Sequence, residues 1–184
     1  GNTLLSASGL SDGVYRVYVV DAAGNLSSAS ANTVTVDTTS PTVSSIAYGT
    51  NDGKLALGET VTLTVTMSEA VSVTGTPSLA LNNGGTATYT SGTGTNTLTF
   101  SYTPGAGQTT SDLATATTNA LSGTITDLAG NAVTTSGFNS VNPTGILAVD
   151  VTAPTVSSIA YGTNDGNLAL GETVTLTVTM SEAV

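Results

Sequence analysis

The sequence contains no histidine, cysteine or tryptophan, and Arg16 and Lys54 are its only basic residues. Without histidine or cysteine, the chain can form neither a Ser-His-Asp nor a Cys-His catalytic group, nor a zinc site of the usual kind. A pair of acidic residues acting as in a glycosidase remains conceivable, but no aromatic-lined cleft is indicated. Composition makes catalysis the weakest functional class, and we expect no enzyme.

Positive charge is also scarce. Twelve acidic residues against two basic ones give a formal net charge of −10 at pH 7. Such a surface repels nucleic acid and anionic membranes alike. The apolar runs are far too short to cross a bilayer, and no charged-then-apolar signal sequence opens the chain. We therefore expect no nucleic-acid partner and no membrane insertion by this stretch of chain.

The residues that are abundant favour strands. Threonine and valine suit a pleated, half-buried surface, while glycine and asparagine suit tight turns. Disorder is the competing interpretation, because glycine and serine are plentiful. However, 39% of the residues are hydrophobic, and they alternate with polar residues over the length of a strand, which a disordered polar tract does not do. The sequence predicts an all-β protein.

A long internal repeat indicates how the chain is divided. Residues 37–71 and 150–184 differ only at Thr38/Val151, Ser40/Ala153 and Lys54/Asn167. The spacing from Pro41 to Pro154 suits one whole sandwich domain, since solenoid repeats are far shorter. In addition, DAAGN at 21–25 resembles DLAGN at 127–131, and both precede a strand and a linker.

Three units follow from this repeat. We predict the C-terminal strands of a preceding domain in residues 1–36, a complete domain in 37–150, and the N-terminal strands of a following domain in 151–184. The partial units are completed either by further chain on each side or by strands added from other chains. The sequence does not choose between these two options.

Strand positions within the complete unit follow from alternation and turn residues. In residues 60–67, the residues predicted to point inward are Val61, Leu63, Val65 and Met67, with threonines outward. Seven short strands are predicted, at 43–48, 60–67, 79–81, 87–89, 98–102, 121–127 and 146–149. Seven short strands separated by turns fit a Greek-key β-sandwich of the immunoglobulin type. We therefore predict such sandwich domains in tandem.

These residues carry a resemblance to a known family. The string PTVSSIAYGTNDGKLALGETVTLTVTMSEAV, followed by GTPSLALNNGGTATYTSGTGTNTLTFSYT and DLAGNAV, resembles the SwmB-type bacterial immunoglobulin-like repeats of very large cell-surface proteins. The segment DGVYRVYVVDAAGNLSSASANTVTVD is similar to a related repeat of type I secreted adhesins. The resemblance implies export to the bacterial cell surface, a long string of domains and, often, calcium at the joints.

A calcium site is also predicted from topology. In an immunoglobulin-type sandwich, the incoming linker, the B–C loop and the F–G loop lie at the N-terminal pole of the domain. These places hold Asp37, Glu69, Asp127 and Asn131. Carboxylate and carboxamide oxygens are the hard ligands that Ca²⁺ prefers, and no basic residue lies nearby in sequence. The alternative is that Asp127 and Asn131 only form a turn, because Asp-X-Ala-Gly-Asn has good turn chemistry.

Equivalent positions recur outside the complete unit. Asp150 and Glu182 repeat the first two positions in the following unit, and Asp21 with Asn25 repeat the last two in the preceding one. Asp52 and Asp165, each in an Asn-Asp-Gly sequence, mark either a second calcium site at the opposite pole or, more often for this sequence, a plain turn.

Two functional classes remain open. The first is a stalk or spacer, or a building block of a filament or sheath, stiffened by calcium at its joints. The second is an adhesin module that recognises a glycan or a protein through its loops. The near-identity of the repeated segments favours the first class, since binding loops are expected to diverge. The expected partners are neighbouring repeats of the same chain and other copies in a filament or surface layer.

Overall fold

The chain is built almost entirely from strands. A computed structural model describes residues 6–183, so the first five residues of the predicted unit 1–36 and the last of 151–184 lie outside the described residues. The strands are β1 (Gly13–Tyr15), β2 (Val34–Val36), β3 (Val43–Tyr48), β4 (Lys54–Ala56), β5 (Val61–Ala80), β6 (Thr86–Ser91), β7 (Thr95–Tyr102), β8 (Leu121–Asp127), β9 (Ala148–Asp150), β10 (Val156–Tyr161) and β11 (Leu176–Met180). A 3-10 helix spans Thr135–Phe138. The all-β fold predicted from composition is confirmed.

The first part of β5 shows why threonine and valine alternate. Val61, Leu63, Val65 and Met67 are all buried, as predicted, whereas the intervening threonines are exposed or partly exposed. Successive side chains of a strand point to opposite faces, so this alternation buries one face of β5 completely. The strand lies between β3 and β7, both antiparallel to it.

The second part of β5 corrects the predicted strand map. The sequence predicts a loop after Met67 and a separate strand at 79–81, but β5 continues from Val61 to Ala80. It exchanges partners along the way, because its second part pairs with β6 and β8. The register against β7 shifts between Thr66 and Val71. Glu69 therefore lies in an irregular stretch of a continuous strand, not in a loop between strands.

Much of the core comes from segments without a strand pattern. Leu113, Phe138 and Leu147 are fully buried, although they lie outside the strands. Thr115 is buried as well, and its hydroxyl accepts a hydrogen bond from the Val141 amide at 2.8 Å. The long connection from β7 to β8 and the segment after β8 thus close the core.

A short parallel pair was not predicted. Strand β4 pairs with β9 in parallel, with Leu55 opposite Val149. Both side chains are buried. The sequence signal for β4 is weak because only three residues separate the Asn-Asp-Gly turn from the next turn.

The hairpin of β10 and β11 reproduces the pairing of β3 with β5. Ile159 pairs with Val178, as Ile46 pairs with Val65, and both hairpins have a register shift near their first residue. Their environments differ: Leu63 is 1% exposed, but Leu176 at the same repeat position is 54% exposed. The two hairpins therefore have the same apolar face. This face is buried in β3 and β5 and exposed in β10 and β11.

A buried polar corner closes the far end of β7. The Tyr102 hydroxyl accepts a hydrogen bond from Asn83 Nδ2 at 2.8 Å and donates one to Gln108 Oε1 at 3.1 Å. A Cβ added at Gly85 would lie 2.5 Å from the Tyr102 ring, so the backbone there requires glycine. The corner joins the loop after β7 to the loop between β5 and β6.

Replacing Tyr102 by phenylalanine tests this corner. The Tyr102→Phe substitution removes both hydrogen bonds of the hydroxyl, and we expect the free energy of unfolding to fall by about 1 kcal/mol. Urea unfolding followed by circular dichroism measures the change. The matched control is Tyr161→Phe, because Tyr161 is 74% exposed; an equal loss in both variants would contradict the role of the corner.

Candidate metal centre

The end of β8 forms a closed hydrogen-bonded turn. Asp127 Oδ1 accepts hydrogen bonds from the backbone amides of Gly130 and Asn131, at 2.6 and 2.8 Å. The Asp127 amide in turn donates to the Asn131 carbonyl at 3.0 Å. Aspartate and asparagine side chains often bind their own backbone in this way. The turn interpretation of DLAGN therefore describes its backbone correctly.

The same asparagine connects the turn to the incoming linker. Asn131 Nδ2 donates to Asp127 Oδ2 at 2.6 Å and to the Asp37 carbonyl at 2.9 Å. Asp37 Oδ1 accepts the amide of Thr39 at 3.0 Å. Asn131 thus presents its nitrogen, not its oxygen, to these groups. In this geometry it positions the two aspartates, and its role as an oxygen ligand stays a prediction.

Three carboxylates meet at this point. Asp37 from the linker, Glu69 from the irregular stretch of β5 and Asp127 from the end of β8 each place a carboxylate oxygen within 4.8 Å of the others. Asp127 is 2% exposed, and the other two are partly buried. We call this group the acidic cluster. The sequence-based prediction selected these three residues although it placed Glu69 in a loop.

The pKa shifts show which carboxyl group is unfavourably charged. Burial, together with the negative charges of Asp37 and Asp127, raises the pKa of Glu69 above its usual value. Burial also acts to raise the pKa of Asp127, but hydrogen bonds from Asn131 and Gly130 outweigh it, and the pKa of Asp127 lies below its usual value. Hydrogen bonds therefore stabilise the Asp127 anion, whereas burial and the two neighbouring charges disfavour the Glu69 anion.

A cleft of about 430 Å³ opens beside the acidic cluster. Its walls include Asp37, Glu69, Leu128 and Ala129, with Thr35 from β2 at one side. The cleft is open to solvent, so water or an ion can reach the carboxylates. Thr35 lies in the predicted unit 1–36, so residues from both sides of the predicted boundary at residue 37 line this cleft.

The raised pKa of Glu69 predicts how the metal-free protein responds to acid. Between the unfolded-state pKa near 4.5 and the higher folded-state pKa, the folded protein binds more protons than the unfolded one, so stability rises as the pH falls. We expect the melting temperature in chelator to increase when the pH is lowered from 7 towards 5. Below about pH 4, protonation of Asp127, whose pKa is lowered from 3.8, reverses the trend.

The control for this pH effect is Glu69→Gln. Glutamine keeps the shape of the side chain and removes the charge, so in chelator the variant should melt higher than the wild type at pH 7 and lose the gain between pH 7 and 5. A wild-type melting temperature that stays flat or falls over that range would contradict the raised pKa of Glu69.

The preceding unit repeats the turn but not the cluster. Asn25 Nδ2 donates to Asp21 Oδ2, and the Asn25 amide donates to Asp21 Oδ1, both at 2.8 Å. Both residues are exposed. Hydrogen bonds from Asn25, largest among the causes, lower the pKa of Asp21. Within residues 6–183, no group of three acidic side chains at metal-binding distance includes Asp21.

The following unit repeats the other two positions. Asp150 Oδ1 accepts the Thr152 amide at 2.9 Å, as Asp37 accepts that of Thr39. Glu182 is partly buried, and its Oε1 has no hydrogen-bond partner. In the part of the chain that is described, Asp150 and Glu182 do not join a third carboxylate at metal-binding distance, so their role as ligands stays a prediction.

The Asn-Asp-Gly sequences form turns. Asp52 Oδ1 accepts the Lys54 amide and Asp165 Oδ1 accepts the Asn167 amide, both at 3.0 Å. Both aspartates, and the asparagines at 51 and 164 before them, are exposed. Neither aspartate belongs to a cluster of three acidic groups among residues 6–183. The turn interpretation accounts for the contacts that these residues make.

One residue of this region was missed from the sequence. Asp12, just before β1, binds the linker residues Thr38 and Thr39 through both of its carboxylate oxygens. Hydrogen bonds from the Thr38 and Thr39 hydroxyls lower the pKa of Asp12. No signal in the sequence predicts this contact, which follows from the pairing of β1 with β2: it places the residue before Gly13 opposite the residue after Val36.

The fold and the acidic cluster together define an all-β sandwich domain with carboxylates at the end that receives the linker. Comparison with known protein families matches residues 37–143 to the bacterial Ig-like domain. The chain belongs to the bacterial Ig-like domain family. Searches of curated proteins and of solved structures find no match.

The family indicates where such domains usually occur and whether they usually catalyse reactions. Bacterial Ig-like domains commonly occur in surface and extracellular proteins, and they are typically non-enzymatic. Among the described residues, no helix is long and apolar enough to span a membrane. The family description names no ligand for the acidic cluster.

Proposed function

We propose that this chain is a structural segment of a bacterial cell-surface protein, in which Ig-like repeats in series form a stalk, spacer or filament, and that calcium stiffens the joint in front of the repeat. The observation that carries the proposal is the convergence of Asp37, Glu69 and Asp127 from three separate elements. Neighbouring repeats, and other copies of the chain in a filament or surface layer, are the partners.

The chemistry of the cluster supports a hard divalent cation. Calcium takes about six to eight oxygen ligands at roughly 2.3–2.6 Å, often from carboxylates, backbone carbonyls and water. Three carboxylates would supply the charged ligands, and the cleft beside them leaves room for water. Burial and the charges of Asp37 and Asp127 raise the pKa of Glu69, and a bound cation would favour the charged form that they disfavour.

The positions of the ligands explain why binding would stiffen a joint. Asp37 belongs to the linker between β2 and β3, whereas Glu69 and Asp127 belong to the body of the repeat. An ion bound to all three would tie the linker to the sandwich and restrict the angle at which the preceding unit leaves it. A string of such joints would hold a surface protein extended.

The internal repeat supports the proposal that Ig-like repeats follow one another along the chain. The β10–β11 hairpin has the register of the β3–β5 pairing, and residues 150–184 carry the aspartate and glutamate of the first and second cluster positions. A stalk needs only that each unit folds and that each joint holds its direction. The net charge of −10 suits a solvated extracellular surface that does not self-associate without cations.

Calorimetric titration with calcium chloride tests the metal site. We expect the wild-type chain to bind Ca²⁺ with one site in the complete repeat, and Glu69→Gln to lose that binding because one charged ligand is removed. Asp52→Asn is the matched control, since Asp52 lies in an exposed turn outside the cluster. Wild-type binding that survives in Glu69→Gln but disappears in Asp52→Asn would place the ion elsewhere.

A further inference from the structure

Asp12 accepts three hydrogen bonds from the linker and uses both of its carboxylate oxygens. Its Oδ1 accepts the Thr38 amide at 2.9 Å and the Thr38 hydroxyl at 2.7 Å, and its Oδ2 accepts the Thr39 hydroxyl at 2.8 Å. These contacts span 26 and 27 positions in sequence. They join the residue just before β1 directly to the segment that enters the repeat.

We propose that Asp12 is an interdomain lock, a positioning residue that fixes the direction of the preceding unit relative to the complete repeat. Asp12 stands immediately before β1, and Thr38 and Thr39 follow β2 on the way to β3. The lock therefore holds the linker against the two-stranded sheet of β1 and β2. Three donors on one charged carboxylate also fix its orientation, because hydrogen bonds to ionised acceptors are the stronger ones.

The lock differs from the acidic cluster on the same linker. Asp37 points to the repeat, where its carbonyl accepts Asn131 and its carboxylate lies near Glu69 and Asp127. Asp12 is not part of that cluster. Both of its oxygens have protein donors, so the lock needs no cation. One linker thus carries two connections: residues 38 and 39 to the preceding unit, and residue 37 to the repeat.

The joint after the repeat lacks the carboxylate of the lock and one of its two threonines, since Thr152 keeps the position of Thr39. Valine occupies position 151, where the first joint has Thr38, and its side chain packs against the core of the repeat. In the first joint Gly13 faces Val36, and in the second Thr110 faces Val149. The residue before Thr110 is Thr109, which has no carboxylate. The chain therefore has two kinds of joint, one held by a carboxylate and one by apolar packing.

Distances between spin labels across each joint test the lock. The chain has no cysteine, so labels attach only where cysteines are introduced. Exposed positions 32 and 88 report on the first joint, and 88 and 167 on the second. All measurements use the full chain, in chelator and again with millimolar calcium, and each variant is compared with the wild type under the same condition, so the effect of the lock is separated from that of calcium at the acidic cluster.

Two variants disable the lock from opposite sides. Asp12→Asn removes the charge and one of the acceptor oxygens, while Thr38→Ala with Thr39→Ala removes both hydroxyl donors, adds no larger apolar side chain and leaves Asp12 and β1 intact. We expect both to replace a single narrow 32–88 distance distribution with a broad one, while the 88–167 distribution and the melting temperature of the repeat stay as in the wild type. Asp52→Asn, outside any joint, should change neither distribution.

The outcomes separate the lock from other effects. A narrow 32–88 distribution retained in both variants would overturn the proposal, as would equal broadening across both joints, which would reflect general loosening. If Asp12→Asn disturbs the fold of the preceding unit, the threonine double variant still shows whether the lock narrows the 32–88 distribution. In chelator, Glu69→Gln leaves these distances unchanged whereas Asp12→Asn broadens the 32–88 distribution, so failure of the proposed metal site and failure of the lock are distinguishable.

Discussion

Replacing Leu63 by alanine should lower the free energy of unfolding of the repeat by about 2–5 kcal/mol, the usual cost of truncating a buried leucine. Leu63 is 1% exposed and lies near the start of β5, between β3 and β7. A domain of this size is stable by about 5–15 kcal/mol, so the loss is a large share of the total. Urea unfolding followed by circular dichroism measures it.

The chain provides its own control for this prediction. Leu176 occupies the same position of the internal repeat, in the same sequence context and the same hairpin register, but it is 54% exposed. We expect Leu176→Ala to change stability by no more than about 0.5 kcal/mol. If the two substitutions cost the same, the apolar face of β10 and β11 would have to be packed against something in solution.

Calcium should produce the second large effect. At about one hundred times the dissociation constant, a ligand that binds only the folded state stabilises it by about 2.7 kcal/mol, which for a domain of this size corresponds to a rise in melting temperature on the order of 10 °C. Differential scanning calorimetry of the full chain, first with millimolar calcium and then with chelator, measures the shift. Removing the calcium should return the melting temperature to its starting value.

Variants in the acidic cluster separate calcium binding from intrinsic stability. Asp127→Ala should abolish the calcium-dependent rise and also destabilise the metal-free protein, because the turn from Gly130 to Asn131 loses its acceptor. Glu69→Gln should abolish the rise while stabilising the metal-free protein, since it relieves the repulsion. If the melting temperature of either variant still rose fully with calcium, the acidic cluster would not be the calcium site.

The part of the fold that the sequence predicts well is the part with a strict two-residue period. Val61, Leu63, Val65 and Met67 alternate with threonines, and a slip of one residue would expose all four side chains, so the pattern determines both the strand and its inner face. The three carboxylates were also found from sequence, because the order of strands in an immunoglobulin-type sandwich determines which connections share a pole.

Other features depend on contacts that a local pattern does not record. Strand β5 continues past Met67 because its second part finds new partners in β6 and β8, and the serine and glutamate that suggest a loop lie in a register shift. Phe138 is buried although it lies in a 3-10 helix among polar residues. Asp12 is polar and near a glycine, and only the pairing of β1 with β2 brings it to the linker.

A crystal structure of the chain grown with calcium tests the central claim most directly. The account predicts an ion between Asp37, Glu69 and Asp127, about 2.3–2.6 Å from a carboxylate oxygen of each, with backbone carbonyls or water completing a shell of roughly six to eight oxygens. The anomalous signal of the ion would distinguish it from water. Calcium bound elsewhere with these three carboxylates free, or no bound calcium at millimolar concentration, would contradict the account.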